Sequence, residues 1–228
     1  MILEGNDVSN KAKSIPEAVE MIPDGASIMV GGFMGNGNPH RLLDELVRQG
    51  KKDLTLICND TARPGFGVGK LISADAVRIL IATHIGTNPE TQKKMISGEI
   101  TVELSPQGTF AERIRAGGFG LGGVITATGL NTVVAKNKQT IQIGENTYLV
   151  ELPLRAEFAL ISAYRSDYLG NLEYELTSRN FNPVMAMAAQ MVIVEARDIV
   201  PVGVIPPDHV VTPHVLVDII AGGTLDHE

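Results

Sequence analysis

The chain has 228 residues, of which 44% are hydrophobic and 20% charged, and its formal net charge is −7. This length is enough to bury a sizeable core, and the composition is typical of a globular protein. The acidic balance argues against a broad nucleic-acid surface, although a few backbone N–H groups can still hold a small anion.

The sequence carries no obvious targeting or membrane signal. No apolar run approaches the roughly 18–20 residues that span a bilayer. The segment Met1–Asp7 is acidic and lacks the basic and apolar regions of a signal peptide. Cys58 is the single cysteine, which excludes a disulfide within the chain, and the five histidines show no metal-ligand spacing. We therefore expect a cytoplasmic protein without a metal site.

Helices and short apolar strands alternate through the first half of the chain. Residues 1–13 are polar and aperiodic, which predicts a flexible N-terminal tail before a single domain at 14–228. A serine, a proline and a glutamate in Ser14–Glu17 predict the start of a helix. Strands are then predicted at Ile28–Val30, Leu54–Cys58, Val77–Ala82 and Ile100–Leu104, and helices at Pro39–Arg48, Gly67–Ser73, Asn88–Gly98 and 109–116. Strands that are apolar throughout, separated by capped helices, indicate an α/β fold with an open, mainly parallel sheet and helices on both faces.

The second half is richer in hairpin signals. Strands are predicted at Gln139–Ile143, Thr147–Glu151, Phe158–Ala163, Leu172–Leu176 and Met191–Glu195, and a helix near 182–190. The turn residues Gly144-Glu145-Asn146 join the first two of these strands into a predicted β-hairpin. No internal repeat is evident. We therefore predict one domain with a β-hairpin-rich elaboration.

The segment Asp24–Pro39 is the most informative part of the sequence. Its predicted strand ends abruptly in a glycine-rich loop, Gly31–Gly37, which leads into a helix. Glycine permits positive φ angles and close approach of a ligand, and proline suits the start of a helix. Such a loop can direct free backbone N–H groups at an anion or at a developing oxyanion.

Two common phosphate-binding patterns, the dinucleotide fingerprint and the P-loop, do not fit the glycine-containing segments of this sequence. A dinucleotide fingerprint would need glycine at position 40, which is His40. A P-loop would need serine or threonine after Gly69-Lys70, where the chain has Leu71. The segment Gly118–Gly123 matches Gly-x-Gly-x-x-Gly by letter, but it follows a helix instead of a strand. A glycine-rich turn without any ligand is the remaining plain alternative.

Gln107 lies between a predicted strand and the next helix, at the edge where such sheets bind ligands. Its amide could donate to an oxyanion during acyl transfer, or it could cap the helix or face solvent. His84 has a similar position, although a histidine at the edge of a loop more often has no catalytic role. Cys58 is predicted to be a small core residue, and Met185, Met187 and Met191 are predicted to contribute to core packing.

The glycine-rich segment matches the first sequence signature of the family I coenzyme A transferases at every position, including Gly31-Gly32-Phe33, Gly37 and Pro39. The signature allows any residue at the three positions between Phe33 and Gly37 and at the one position between Gly37 and Pro39. Residues 15–215 resemble the α subunit of 3-oxoacid and acetate CoA-transferases, with further matches at Ile85–Thr91, Pro106–Thr109, Glu112–Gly118 and Arg179–Pro183. The segment that begins at Ile85 is more similar to the acetate and butyrate–acetoacetate enzymes than to the 3-oxoadipate branch.

The resemblance implies the sheet shared by CoA-transferases and sugar-phosphate isomerases, and a ping-pong exchange of CoA between carboxylates. The exchange passes through a glutamyl-CoA thioester on a β subunit, in a Glu-Asn-Gly motif that this sequence lacks. Glu145 comes nearest, but Asn146-Thr147 follows it, so we do not assign it. The resemblance therefore implies an αβ or α2β2 complex, with CoA as substrate and no permanently bound cofactor. It assigns Gln107 to the oxyanion hole and Gly31, Gly32, Phe33, Met34, Gly35, Asn36 and Gly37 to the CoA site.

Two alternative functions remain open from the sequence. A phosphosugar isomerase would use the same fold, but it would need a carboxylate base and a lysine near the strand ends, and no convincing set is evident. A non-catalytic acyl-CoA-binding module is the second alternative. The acyl group itself, whether acetyl, butyryl or acetoacetyl, is not fixed by the sequence, because small apolar increments change binding only slightly.

Overall fold

The computed structural model describes residues 11–222. The helices are α1 (Ile15–Glu20), α2 (His40–Arg48), α3 (Gly69–Ser73), α4 (Pro89–Ser97), α5 (Gln107–Gly118) and α6 (Asn182–Ala186). The strands are β1 (Ala12–Lys13), β2 (Ser27–Val30), β3 (Leu54–Cys58), β4 (Val77–Ala82), β5 (Thr101–Leu104), β6 (Val124–Thr126), β7 (Thr140–Ile143), β8 (Asn146–Glu151), β9 (Ala156–Asp167), β10 (Leu172–Glu173), β11 (Ala189–Val200) and β12 (Ile219–Ala221). None of these helices is both long enough and apolar enough to cross a membrane.

Most strands belong to one sheet, in the order β1-β12-β11-β9-β2-β3-β4-β5. Every neighbouring pair along this order is parallel, and β10 joins β9 in antiparallel orientation. From β2 the chain moves outward through β3, β4 and β5, and it later returns to the other side of β2 as β9. The strand order therefore reverses between β2 and β9. In open parallel sheets, ligands bind beyond the carboxyl ends of the strands at such a reversal.

The sheet separates two apolar layers. Along β2, Ile28 and Val30 belong to one layer and Met29 to the other, because successive side chains of a strand point to opposite faces. The first layer includes Leu42 of α2, and the second includes Phe110 of α5. The predicted α/β class, with a mainly parallel sheet covered on both faces, is confirmed.

The predicted helix signals and the β-rich elaboration are also confirmed. Ser14 and Glu17 form a reciprocal capping box at α1. Asn88 caps α4 through its side chain, and Gly98 ends that helix in the left-handed conformation. A separate sheet with the order β6-β8-β7 contains the predicted hairpin, whose turn includes Gly144 at φ 58°.

Several predicted boundaries were wrong in the second half. The predicted helix near 182–190 ends at Ala186, and β11 extends to Val200 instead of stopping at Glu195. Strand β9 pairs with β11 along its whole length, from Ala156 opposite Ala189 to Asp167 opposite Val200. This long-range pairing makes both strands longer than their local sequence signals predict. The predicted strand Leu172–Leu176 is only two residues long, and Leu176–Arg179 forms a 3-10 turn.

The predicted N-terminal tail was wrong for Ala12 and Lys13, which form the edge strand β1. They pair with Ile220 and Ala221 of β12, a contact that no local pattern can reveal. The rest of the predicted tail, residues 1–10, lies outside the described residues. So do residues 223–228, at the end of the predicted single domain 14–228.

Helix α5 begins earlier and ends later than predicted, and it contains Gly117 and Gly118 instead of stopping before them. A Cβ atom on Gly117 would lie 2.0 Å from the carbonyl oxygen of Leu154. The Arg155 guanidinium donates to the Gly117 carbonyl at 3.0 Å, which ties the same segment to the helix. The glycine is therefore needed for close contact between backbones, and this contact fixes the position of α5 and of Gln107 at its start.

We predict that Gly117→Ala lowers the free energy of unfolding by about 2 kcal/mol, because the added methyl group forces Leu154 to move. Gly108→Ala is a matched control in the same helix, since a Cβ there meets nothing within 4 Å. The control should be neutral or stabilising by less than about 1 kcal/mol. Urea denaturation of both variants measures the difference, and equal effects would contradict this account of α5.

Candidate active site

Strands β2 to β5 end at one edge of the sheet, and the loops that follow them form a pocket of about 410 Å³. It is lined by Phe33, Met34, Asn59, Asp60, Thr83, His84, Thr87 and Gln107. The structure therefore brings Gln107 together with two residues of the glycine-rich loop. The other loop residues assigned from the sequence, Gly31, Gly32, Gly35, Asn36 and Gly37, do not line this pocket.

Phe33–Asn36 forms a tight turn at the tip of the glycine-rich loop. The N–H groups of Phe33 and Asn36 each donate to the other's carbonyl oxygen at 2.9 Å. Met34 and Gly35 occupy the centre of the turn at φ 51° and 87°. A left-handed conformation is costly for a residue with a Cβ atom, and such strain is found preferentially at functional sites. Met34 is held there by its N–H, which donates to Asp60 Oδ2 at 2.9 Å.

A second tight turn, Arg63–Phe66, follows β3 and lies against the first. A Cβ atom with ideal geometry on Gly35 would lie 2.1 Å from Phe66 Cε1, so the ring covers the glycine. The imidazole of His40 lies 5.2 Å from the centre of the same ring, and the Arg63 guanidinium lies 4.7 Å from it. The two loops are therefore built as one packed unit.

The loop glycines are explained by contacts within the chain. A Cβ atom on Gly31 would lie 1.8 Å from Asn182 Oδ1, and one on Gly32 would lie 1.9 Å from Asn38 Nδ2. At Gly37 it would meet a backbone oxygen at 2.8 Å. The sequence suggested that these glycines admit a ligand. The structure instead fills the space beside them with protein atoms, which corrects that explanation of why they are glycines.

The N-terminus of α2 is capped by a distant carboxylate. Pro39 offers no side-chain cap, and the helix proper begins at His40. Glu195 of β11 accepts the N–H groups of Arg41 and Leu42 at 2.9 and 3.0 Å. The position that attracts an anion at the start of a helix is therefore occupied by the chain's own carboxylate.

Few N–H groups of the loop are left for a ligand. Within residues 11–222, only those of Gly32, Gly35 and Gly37 among residues 31–37 donate to no acceptor. Gly32 and Gly35 are buried, and Gly37 is half-buried. A role of the loop backbone in CoA binding remains a prediction.

Gln107 is positioned by a chain of buried polar groups. Its Nε2 donates to Asn59 Oδ1 at 2.8 Å, and Asn59 Nδ2 donates to Asp60 Oδ2 at 2.7 Å. Asn59 is 2% exposed and Asp60 is 4% exposed. A glutamine amide carries two N–H bonds, so one remains for a ligand after the bond to Asn59. Sequence analysis missed both residues, although a polar pair directly after a buried strand marks the carboxyl edge of a parallel sheet.

Among the described residues that line the pocket, none offers a free carboxylate as a nucleophile. Asp60 is the single carboxylate among the residues that line it, and its oxygens accept N–H groups from Met34, Asn59 and Ala62. His84 lines the pocket at its exposed rim. Glu145 lies in the exposed turn between β7 and β8 and does not line the pocket. Among residues 11–222 no group of three metal-binding side chains is arranged to hold an ion.

Cys58 and the methionine cluster are core residues, as predicted. Burial in β3, together with the nearby charge of Asp60, raises the pKa of the Cys58 thiol well above its ordinary value. A thiol that stays protonated is a poor nucleophile. Met185 is buried in the second apolar layer, and Met187 packs against it. Met191 packs against the first layer.

Comparison with known proteins agrees with this arrangement. The sequence profile of the coenzyme A transferase family matches residues 12–223. The chain is 52% identical to the acetate CoA-transferase subunit alpha of Escherichia coli K12, over 92% of this chain and 96% of that subunit. It is also 52% identical to the acetoacetyl-CoA:acetate/butyrate CoA transferase alpha subunit of Clostridium acetobutylicum, over 86% of this chain and 90% of that subunit.

A solved structure supports the fold. The acyl-CoA transferase YdiF of Escherichia coli O157:H7, in a thioester complex with CoA, matches with a TM-score of 0.81 at 22% identity. The match covers 92% of this chain and 46% of YdiF, so this chain spans about half the length of that protein.

The fold and the pocket define an α/β protein whose site lies beyond the carboxyl ends of its strands, beside the reversal of strand order. The matching family profile and the two relatives at 52% identity identify the family within this class. The chain belongs to the coenzyme A transferase family, as the sequence resemblance implied.

We predict that Asn59→Ala lowers the CoA-transfer rate on the order of tenfold to a hundredfold, because Gln107 loses the acceptor that orients it. Asn171→Ala is the control for loss of a structural asparagine, since Asn171 donates to Asp167, accepts the N–H of His214 and does not line the pocket. Both variants should lose thermal stability, whereas Asn59→Ala should lose turnover per folded molecule. Equal turnover in the two would exclude Asn59 as a positioning residue.

Proposed function

We propose that this chain is the α subunit of a heteromeric CoA-transferase that moves CoA between a short-chain acyl-CoA and a carboxylate acceptor. The single observation that carries the proposal is a pocket with an oriented amide donor, Gln107, and no free carboxylate among the described residues that line it. Both named relatives at 52% identity are alpha subunits, and their names support acetyl, acetoacetyl and butyryl groups as the acyl range.

The missing nucleophile is assigned to a β subunit. Its glutamate would attack the acyl-CoA carbonyl, release CoA as thiolate and form a mixed anhydride. The thiolate would then attack the glutamyl carbonyl of the anhydride, which releases the first carboxylate and leaves a glutamyl-CoA thioester. The acceptor carboxylate reverses these steps. The thioester is conserved overall, provided that water is excluded from the site.

Gln107 has a defined task in this scheme. The N–H of its amide that does not bond to Asn59 would donate to the carbonyl oxygen as negative charge develops there. A donor held in place before the reaction stabilises that charge without reorganisation. The turn Phe33–Asn36 would cover the same carbonyl and help to exclude water.

The alternative functions have less support. A phosphosugar isomerase needs a lysine and a carboxylate base, but no lysine within residues 11–222 lines the pocket, and Asp60 is committed to three N–H groups. A module that only binds acyl-CoA would have no use for the buried chain that orients Gln107. The proposal includes a cytoplasmic location, the compartment in which unpaired thiols such as Cys58 persist.

The test is reconstitution with a second chain that carries a Glu-Asn-Gly motif. We expect each chain to be inactive by itself and the complex to transfer CoA from acetoacetyl-CoA to acetate. In the complex, Gln107→Ala should lower kcat on the order of 10²–10³-fold, because one oxyanion donor is lost.

Gln190→Ala provides the control for this substitution. Gln190 is exposed near the amino end of β11, at the edge of the sheet opposite the pocket, so its loss should leave turnover unchanged. Transfer by this chain without a partner, or full turnover by Gln107→Ala, would contradict the proposal.

A further inference from the structure

The pocket has one apolar wall. Phe33 and Met34 supply the large apolar side chains, whereas Asn59, Asp60, Thr83, His84, Thr87 and Gln107 supply polar groups. If a thioester oxygen lies at Gln107, an unbranched acyl tail gains most by lying against Phe33 and Met34, because each buried methylene contributes about 0.8 kcal/mol.

Met34 is held by a hydrogen bond at its backbone, and its side chain contacts Thr87. Its N–H donates to the buried Asp60, which holds the residue at φ 51°. Its sulfur lies 3.7 Å from the hydroxyl oxygen of Thr87, and that hydroxyl donates to the Ala62 carbonyl at 2.8 Å. The thioether therefore bridges the loops that follow β2 and β4 across the pocket.

Stability does not explain a methionine at this position. Its side chain is only half-buried and belongs to neither apolar layer of the core. A left-handed φ disfavours any residue with a Cβ atom, and glycine would adopt it without that cost. The other residues of this loop with positive φ, Gly32, Gly35 and Gly37, are all glycine, so a side chain at position 34 serves a purpose other than folding.

We propose that Met34 limits the length of the acyl chain that this site accepts, so that acetyl to butyryl groups fit and longer unbranched groups are excluded. This inference rests on the proposed CoA-transferase function and names a specificity determinant for it. The thioether acts as the far wall of the acyl pocket, and it lies against Thr87.

The experiment compares acceptor acids in the reconstituted complex. For wild type and Met34→Ala, kcat/KM is measured with acetate, butyrate and hexanoate at fixed acetoacetyl-CoA. Met34→Ala should raise the hexanoate-to-acetate ratio of kcat/KM by about tenfold, because discrimination by a wall of one or two methylene groups has this size.

Two further variants keep the test decisive. Met34→Leu preserves bulk and the same Cβ strain, so its ratio should stay within about twofold of wild type. Met34→Phe should shift selection the other way and lower butyrate relative to acetate. Thermal unfolding of all three variants checks that the loop still folds.

The outcomes separate the two proposals. If the wild-type complex transfers CoA to none of the acids, the proposed function fails. If the wild type is active but the ratios of the Ala and Phe variants match wild type, this inference is overturned and the function stands. The inference is also overturned if Met34→Leu changes the hexanoate-to-acetate ratio of kcat/KM as much as Met34→Ala does. Acyl-chain selection would then depend on the backbone position and not on the volume of the side chain.

Discussion

The buried carboxylate of Asp60 joins the loops that make the pocket. It accepts the N–H of Met34 from the loop after β2, and the N–H of Ala62 and the amide of Asn59 from the loop after β3. Through Asn59 it reaches Gln107 after β5. A carboxylate that is removed from water is stable only when donors replace the lost hydration, and these three do so. The same carboxylate therefore holds the loops together and, through Asn59, orients the Gln107 amide.

The site is rigid by construction. The glycines of the first loop are covered by Phe66, Asn38 and Asn182, and Glu195 occupies the N-terminus of α2. A loop that is already satisfied by its own chain loses little entropy when a substrate arrives. Most of its N–H groups are already bonded within the chain, which does not favour general anion binding by the loop.

Local patterns in the sequence predicted much of this arrangement. The strands from Ile28 to Ala82 are short and mostly apolar, and helix signals such as the caps Asn88 and Gly98 follow them; these signals depend only on near neighbours. The same logic placed Gln107 at the carboxyl edge. The lengths of β9 and β11 could not be predicted, because their pairing joins segments that are distant in sequence. The capping of α2 by Glu195 and the close contact of Leu154 with Gly117 also join distant segments, so the sequence could not predict them.

The central claim is that this chain supplies the oxyanion donor and a partner supplies the nucleophile. The direct test is the intact mass of each chain after the reconstituted complex is incubated with acetoacetyl-CoA and quenched with acid. The account predicts a CoA adduct on the partner chain, located at the glutamate of its Glu-Asn-Gly motif, and an unmodified mass for this chain. A CoA adduct on this chain, at Glu145 or at any other residue, would contradict it.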